Sequence, residues 1–151
     1  MKKTGTIAGA DLYFSTPDTL AGATEFPPAP FRLVPVLSAE EAAAEDAVVA
    51  FARRALAAGA VAVHCAGGGA RAVEETFNEQ IGKLGGDASG RVVTTEHEDE
   101  PLEEALYMLT IGEDSSRPAV VVALSADSQR AAFEALLARA DDALREHEAR
   151  G

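Results

Sequence analysis

Histidine, cysteine and carboxylates are the side chains that move protons, attack carbonyls or hold cations, and in this chain they gather in a few short stretches. The densest is Glu96-His97-Glu98-Asp99-Glu100-Pro101-Leu102-Glu103-Glu104, in which six of nine residues are acidic. Carboxylates beside an imidazole suit hard cations or zinc, so Glu96, His97 and Asp99 form a candidate metal set. His97 is equally a candidate general base, because neighbouring acids perturb an imidazole's pKa. Part of the acidity has a simpler origin. Acids at a helix N-terminus complement the macrodipole, which accounts for Glu100, Glu103 and Glu104 around Pro101. It does not account for Thr95, Glu96 and His97, which precede the helix.

A second stretch is His64-Cys65. Cys65 as nucleophile, His97 as base and Asp99 as its orienting acid make a candidate catalytic set. An isolated cysteine at a strand end is more often a small buried hydrophobe. Adjacent strand residues also face opposite ways, so His64 and Cys65 aim at different sides of a sheet. A third stretch, Gly67-Gly68-Gly69-Ala70-Arg71-Ala72, reads as G-x-G-x-x-A between a strand and a helix. Such a loop lets backbone N–H groups approach a phosphate. Gly67, Gly68, Gly69 and Arg71 are therefore candidate ligand-binding residues, joined by Ser125 from a later loop. The motif follows the second strand rather than the first, and no acid ends the next strand at the usual interval of about 20 residues. There is no Gly-Lys-Ser/Thr phosphate loop, and the lack of lysine after Lys83 excludes a receiver-type phosphorylation site.

Regular elements must position these stretches. Phe31 to Leu37 is an apolar run of strand length. Ser38-Ala39-Glu40-Glu41 has the form of a capping box opening a helix from about Ala39 to Ala58, ended by Gly59. Ala60 to Cys65 is a second strand, and a helix from Ala70 to Leu84 stops at Gly85-Gly86. Arg91 to Thr95 is a third strand, and Pro101 opens a third helix with Leu102, Ala105, Leu106 and Leu109 as its buried stripe. Ala119 to Leu124 is the fourth strand. Asp127 or Ser125 caps a last helix running to about Glu148, with Phe133, Leu136, Leu137, Ala140 and Leu144 inward.

Four strands alternating with four helices predict an α/β fold: a four-stranded, mostly parallel sheet with helices on both faces, a three-layer Rossmann- or flavodoxin-like architecture. The polar third strand suits an edge and the order 3-2-1-4; the order 2-1-3-4 stays open, and Pro35 falls in a central strand in both, at a bulge. Residues 1–30, rich in glycine and proline, read as an irregular N-terminal arm with a short strand near Asp11 to Phe14; residues 31–151 read as a single α/β domain. In open parallel sheets ligands bind beyond the carboxyl ends of the strands, which is where Ser38, Glu40 and Glu41, His64, Cys65 and the glycines, Glu96 to Glu100, and Ser125 and Asp127 collect.

Composition narrows the function classes. The formal net charge of −12 repels phosphate backbones and anionic lipid, which argues against nucleic acid and membrane and favours solubility or a basic protein partner. One cysteine allows no intrachain disulfide and suits a reducing cytoplasm. The start, Met1-Lys2-Lys3, is not followed by the apolar core of a signal peptide.

Pro30-Phe31-Arg32 leading into a strand, together with Val93-Thr94-Thr95-Glu96-His97-Glu98-Asp99-Glu100-Pro101-Leu102, resembles a small bacterial family of unknown function. That family's pattern is Thr-Thr-Trp-His, an acidic pair, then Glu-Pro-Leu; here Glu96 stands in place of the tryptophan. The resemblance implies an α/β domain and singles out His97, with no activity attached. The sequence thus supports a non-enzymatic acidic binding or regulatory module acting on a protein partner. The alternative is a metal- or nucleotide-dependent enzyme or binder with its site around His97. Neither reading fixes a cofactor. The long last helix adds the expectation of self-association into a homo-oligomer.

Overall fold

The computed structural model describes residues 3–85, 91–112, 114–126 and 129–150. Four parallel strands grow from the expected apolar runs: β3 (Phe31–Val36), β4 (Ala60–Ala66), β5 (Val93–His97) and β6 (Ala119–Ala123), adjacent in the order β6-β3-β4-β5. This is the 3-2-1-4 order that the polarity of β5 pointed to. Every residue of β3 and β6 is buried, as suits strands packed on both faces, whereas β5 is an edge. Pro35 lies inside central β3, opposite Val122; the register shift of β3 is at Phe31/Arg32, not at the proline.

The N-terminal arm is a correction. Residues 3–15 form β1 (Lys3–Ile7) and β2 (Ala10–Ser15), an antiparallel hairpin, and β2 runs parallel to β6. The sheet therefore has six strands in the order β1-β2-β6-β3-β4-β5 rather than four. Two left-handed residues, Ala8 (φ 49°) and Gly9 (φ 83°), close the hairpin. That geometry usually announces itself as Asn-Gly or Asp-Gly, so Ala-Gly gave no signal. Tertiary contacts supply what the turn lacks. Ile7 and Leu12 are fully buried, and the Ala8 N–H donates to Asp141 Oδ1 at 2.9 Å.

Period-two alternation sorts the strand residues between two helical layers. On one face Phe31, Leu33, Val63, Cys65, Val120 and Val122 pack beneath α1 (Ala39–Ala42), α2 (Glu45–Ala58) and α3 (Ala70–Leu84). Phe51 and Phe77 meet there edge to face, 6.1 Å between centroids. Truncating Phe51 to alanine costs about 3–5 kcal/mol on the usual scale for a buried ring. On the other face Val34, Val36, Val121 and Ala123 pack beneath α4 (Leu102–Met108), α5 (Arg130–Ala138) and α6 (Ala140–Arg150).

The capping box is present: Ser38 Oγ accepts from the Glu41 N–H, and the Glu41 carboxylate accepts from the Ser38 N–H. The helix it opens ends at Ala42, and a second one starts at Glu45, so the span expected as one helix is two. Gly59 ends α2 in the left-handed conformation, as expected. The last helix is likewise two, broken at Arg139, and its extra length packs α6 against α4 and β1. Ser125 does not cap it; Gln129 holds the N-cap position, and its side chain does not cap the helix. The possible cap Asp127 and the helix stop Gly86 lie outside the described residues.

Candidate functional site

The sequence candidates separate onto three places. Cys65 and Glu96 are register partners and so are Ala66 and His97, which puts Cys65 on the α2–α3 side and His97 on the α4 side. Cys65 is fully buried in the core, and desolvation, followed by the charges of Glu74 and Glu96, pushes its thiol well above the ordinary range. A thiol so held is a poor nucleophile. The Cys65–His97–Asp99 set is therefore not assembled.

Glu96 also parts from His97. It turns towards α3, accepts from the Glu98 N–H at 3.0 Å and lies 3.8 Å from the Arg71 guanidinium. Asp99 takes a left-handed conformation (φ 62°) in the turn after β5, where the Glu100 N–H donates to the His97 carbonyl. Among the described residues no three His, Cys, Asp or Glu side chains are grouped to hold a metal ion. The set of Glu96, His97 and Asp99 does not converge.

The glycine loop does sit at the carboxyl ends of the strands. It borders a crevice of about 690 Å³ together with Ser38, Glu40, Glu41 and Phe133. Its glycines answer to packing. A Cβ on Gly67 (φ +87°) meets the Leu37 carbonyl oxygen at 2.4 Å, and one on Gly69 meets the Ser38 oxygen and Ala42 Cβ at 2.5 Å. The Gly69 N–H donates to Leu37 O and the Ala70 N–H to Gly67 O. Arg71 lies 3.7 Å from Glu98, whose carboxylate also accepts from the Arg71 N–H. The start of α3 already holds an anion of its own chain. Ser125 is spent elsewhere: its hydroxyl donates to Asp18 Oδ1 at 2.6 Å, tying β6 to the end of β2.

What the fold does assemble is a chain of hydrogen bonds across β4 and β5. His64 and Thr95 are register partners, so their side chains leave the same face of the sheet. Thr95 and His97, two apart on one strand, share that face. His64 Nδ1 lies 2.8 Å from Thr95 Oγ1, which lies 2.9 Å from His97 Nε2; His97 Nδ1 lies 3.1 Å from Glu100 Oε2. The turn at Asp99 swings Glu100 back to complete it.

The chain has a direction. An ionised carboxylate only accepts, so His97 Nδ1 donates to Glu100. With one proton on the His97 ring, Nε2 accepts from the Thr95 hydroxyl, whose oxygen accepts from His64 Nδ1–H. His64 Nε2 is left with its lone pair free; the tautomers follow from the network. Burial, then the proximity of His97 and Arg32, holds the His64 pKa down at about 4. Nε2 has no protein partner among the described residues, yet no buried side-chain nitrogen or oxygen there lacks one. The nitrogen therefore has access to open space. That space is a cavity of about 610 Å³ between β4, β5 and the segment joining α4 to β6, bordered by Arg32, His64, Val93, Met108 and Asp114.

A family model described as "Domain of unknown function (DUF7684)" matches residues 14–140. The chain belongs to that family. This agrees with the resemblance to a family of unknown function, and the matched span contains the whole histidine chain. No curated protein and no solved structure matches the sequence significantly. The family description assigns no chemistry, so the DUF7684 site must be read from geometry.

Sequence reasoning singled out His97, placed His64 and Glu100 among the residues at the strand ends without joining them to it, and gave Thr95 and Arg32 no chemical role. The signals were present. Parallel pairing of β4 with β5 brings His64 opposite Thr95, and a lone arginine inside an apolar strand run marks a buried charge. Arg32 is only 2 % exposed. Its Nε and Nη2 donate to the Arg117 carbonyl, at 3.2 and 2.6 Å, and Nη1 donates to the Leu109 carbonyl. It latches the α4–β6 segment over the cavity. Desolvation lowers its pKa, opposed by the charge of Asp114. No helix is long and apolar enough to cross a membrane among the described residues.

Proposed function

We propose that the protein binds a small molecule in the cavity beneath the α4–β6 segment, with His64 Nε2 as the proton-accepting group. The observation that carries this reading is the unbroken line of hydrogen bonds from Glu100 through His97 and Thr95 to His64. The line ends on His64, which borders the cavity and whose Nε2 has no partner among the described residues. A buried histidine kept only for packing needs Nδ1 satisfied, which the bond to Thr95 alone would do. A ligand-facing acceptor also gains, from the bonds beyond Thr95, a fixed tautomer and a fixed ring orientation, and the depressed pKa keeps it neutral and accepting.

The test is nitrogen-resolved NMR of the histidine rings in the presence of a small-molecule panel. His64 is expected to be the neutral Nδ1–H tautomer at pH 7, with Nε2 shifting when a ligand binds and the hit lost in His64→Gln. An Nε2–H tautomer, or hits that leave the His64 resonance still, overturns the proposal. The net charge of −12 supports a second reading, a basic protein partner held by the acidic surface. Capture of a basic partner that weakens steeply with salt, and is indifferent to His64→Gln, favours that reading over the first.

A further inference from the structure

We propose that the ligand of this cavity is a small carboxylic acid with an apolar body, its carboxylate facing Arg32 and Arg91 and a hydroxyl or similar donor facing His64 Nε2. The inference rests on the reading that the cavity is the site, and it adds the class of molecule.

Arg32 carries the argument. It is a fully buried cation, and no carboxylate lies within ion-pair distance of it among the described residues. Its observed bonds go to two backbone carbonyls, through Nε, Nη1 and Nη2. A guanidinium has five N–H donors in a planar fork, so among the described residues each terminal nitrogen keeps one donor unspent. A buried charge satisfied there by neutral dipoles lacks the compensation that an anion supplies. Asp114 borders the same cavity, but it lies 3.9 Å from Arg117 and reaches Arg32 only through space. Arg91 is a second arginine bordering the cavity. In a chain of net charge −12, two arginines against one aspartate among the described lining residues is a local reversal of sign.

The remaining lining is apolar. Val61, Val93, Met108 and Ile111 border the cavity, and Val93 and Ile111 stay about half exposed. Such a wall suits a short hydrocarbon body rather than a sugar or a bare inorganic ion. Opposite it, His64 Nε2 accepts a hydrogen bond and offers none, which selects a donor on the ligand. Carboxylate, apolar body and donor are together the pattern of a small hydroxy acid.

The experiment is a protein-observed NMR titration of the full chain with four probes that share one body: hexanoate, 2-hydroxyhexanoate, hexan-1-ol and hexylamine. Hexanoate and 2-hydroxyhexanoate are expected to move the Arg32 Nε–H and His64 ring resonances, the hydroxy acid binding tighter, and hexylamine is expected to leave them still. Arg32→Met should weaken hexanoate about tenfold, the order of one charge-assisted hydrogen bond, and spare hexan-1-ol. Where Arg32→Met does not fold, the Arg32 Nε–H shift in the unsubstituted protein and a few-fold loss in Arg91→Ala take its place. Hexan-1-ol or hexylamine binding at His64 as tightly as hexanoate overturns the ligand class and leaves the cavity standing. Four probes that all leave His64 unmoved overturn both.

Discussion

The glycine loop after β4 and the histidine chain across β4 and β5 begin from the same strand and end differently. The loop has the position that open parallel sheets favour for ligands and the composition that phosphate sites favour. Yet its N–H groups go to Leu37 and Gly67, its first and third glycines are there because backbone lies where a Cβ would be, and Glu98 fills the start of α3. The histidine chain has no sequence motif and lies on the flank of the sheet, but it leaves one group open to space. Its bonds run from Glu100 to a nitrogen without a partner among the described residues, whereas the loop's N–H groups close on its own backbone.

The largest effects should fall on the loop, and they should be effects on folding. Gly67→Ala places a Cβ 2.4 Å from a carbonyl oxygen at a left-handed residue, which costs about 3 kcal/mol or more from strain and overpacking together. Gly69→Val meets two atoms at 2.5 Å and should cost as much. Gly68 has only an ordinary contact, 3.6 Å from the Ala39 nitrogen, so Gly68→Ala should change stability by less than about 1 kcal/mol. Denaturant melts of the three variants check the ranking. Equal losses at all three positions contradict the packing account.

The next effect belongs to the cavity. His64 has a folded-state pKa of about 4 against an ordinary value of 6.5, so the folded protein binds fewer protons than the unfolded chain between those limits. Stability from this group is complete above pH 6.5 and is lost as pH falls from there towards 4, on the order of 3 kcal/mol. His64→Gln should flatten the melting curve against pH in that window. A wild-type protein whose stability is level from pH 6.5 to 4.5 contradicts a neutral, buried His64.

The contrast also shows what was legible in the residues. Runs such as Ala119 to Leu124 were enough for the four parallel strands, because burial on two faces leaves an apolar run, and the polarity of β5 favoured the order found over 2-1-3-4 without settling it. Of the β1–β2 hairpin only β2 was legible, as the short strand near Asp11 to Phe14; β1 and the pairing were not, since the turn is Ala8-Gly9 and the support comes from Asp141 and from helices more than a hundred residues away. The breaks after Ala42 and at Arg139 carry no glycine or proline, and helical periodicity runs straight through them. His97 was visible as a histidine among acids. Its partners were not, because nearness in sequence favoured Glu96 and Asp99, while alternation sends Glu96 to the other face and the turn at Asp99 brings Glu100 instead.

Cys65 offers a smaller test of the same division. In the core it should resist alkylation in the folded protein and react only on unfolding, and Cys65→Ser should cost about 1–3 kcal/mol by burying a hydroxyl with no assured partner. Rapid alkylation under native conditions contradicts its place between the sheet and α2–α3.

The smallest expected effect tests whether the loop is a site held shut by its own anion. Glu98→Gln removes the charge beside the first turn of α3 and loosens the contacts to Arg71, which are 3.7 and 3.4 Å long and close to solvent. Such a change costs about 0.3–1 kcal/mol. If Glu98 merely occupied a ready cradle, the variant should then take up inorganic phosphate and regain stability as phosphate rises. The geometry gives the opposite expectation. The Gly69 and Ala70 N–H groups stay bonded within the loop whatever stands at position 98, and Glu40 and Glu41 still flank the crevice. The small loss should therefore persist in phosphate at constant ionic strength. Recovery by phosphate in Glu98→Gln, absent in the unsubstituted chain, erases the distinction between a loop that packs and a cavity that binds.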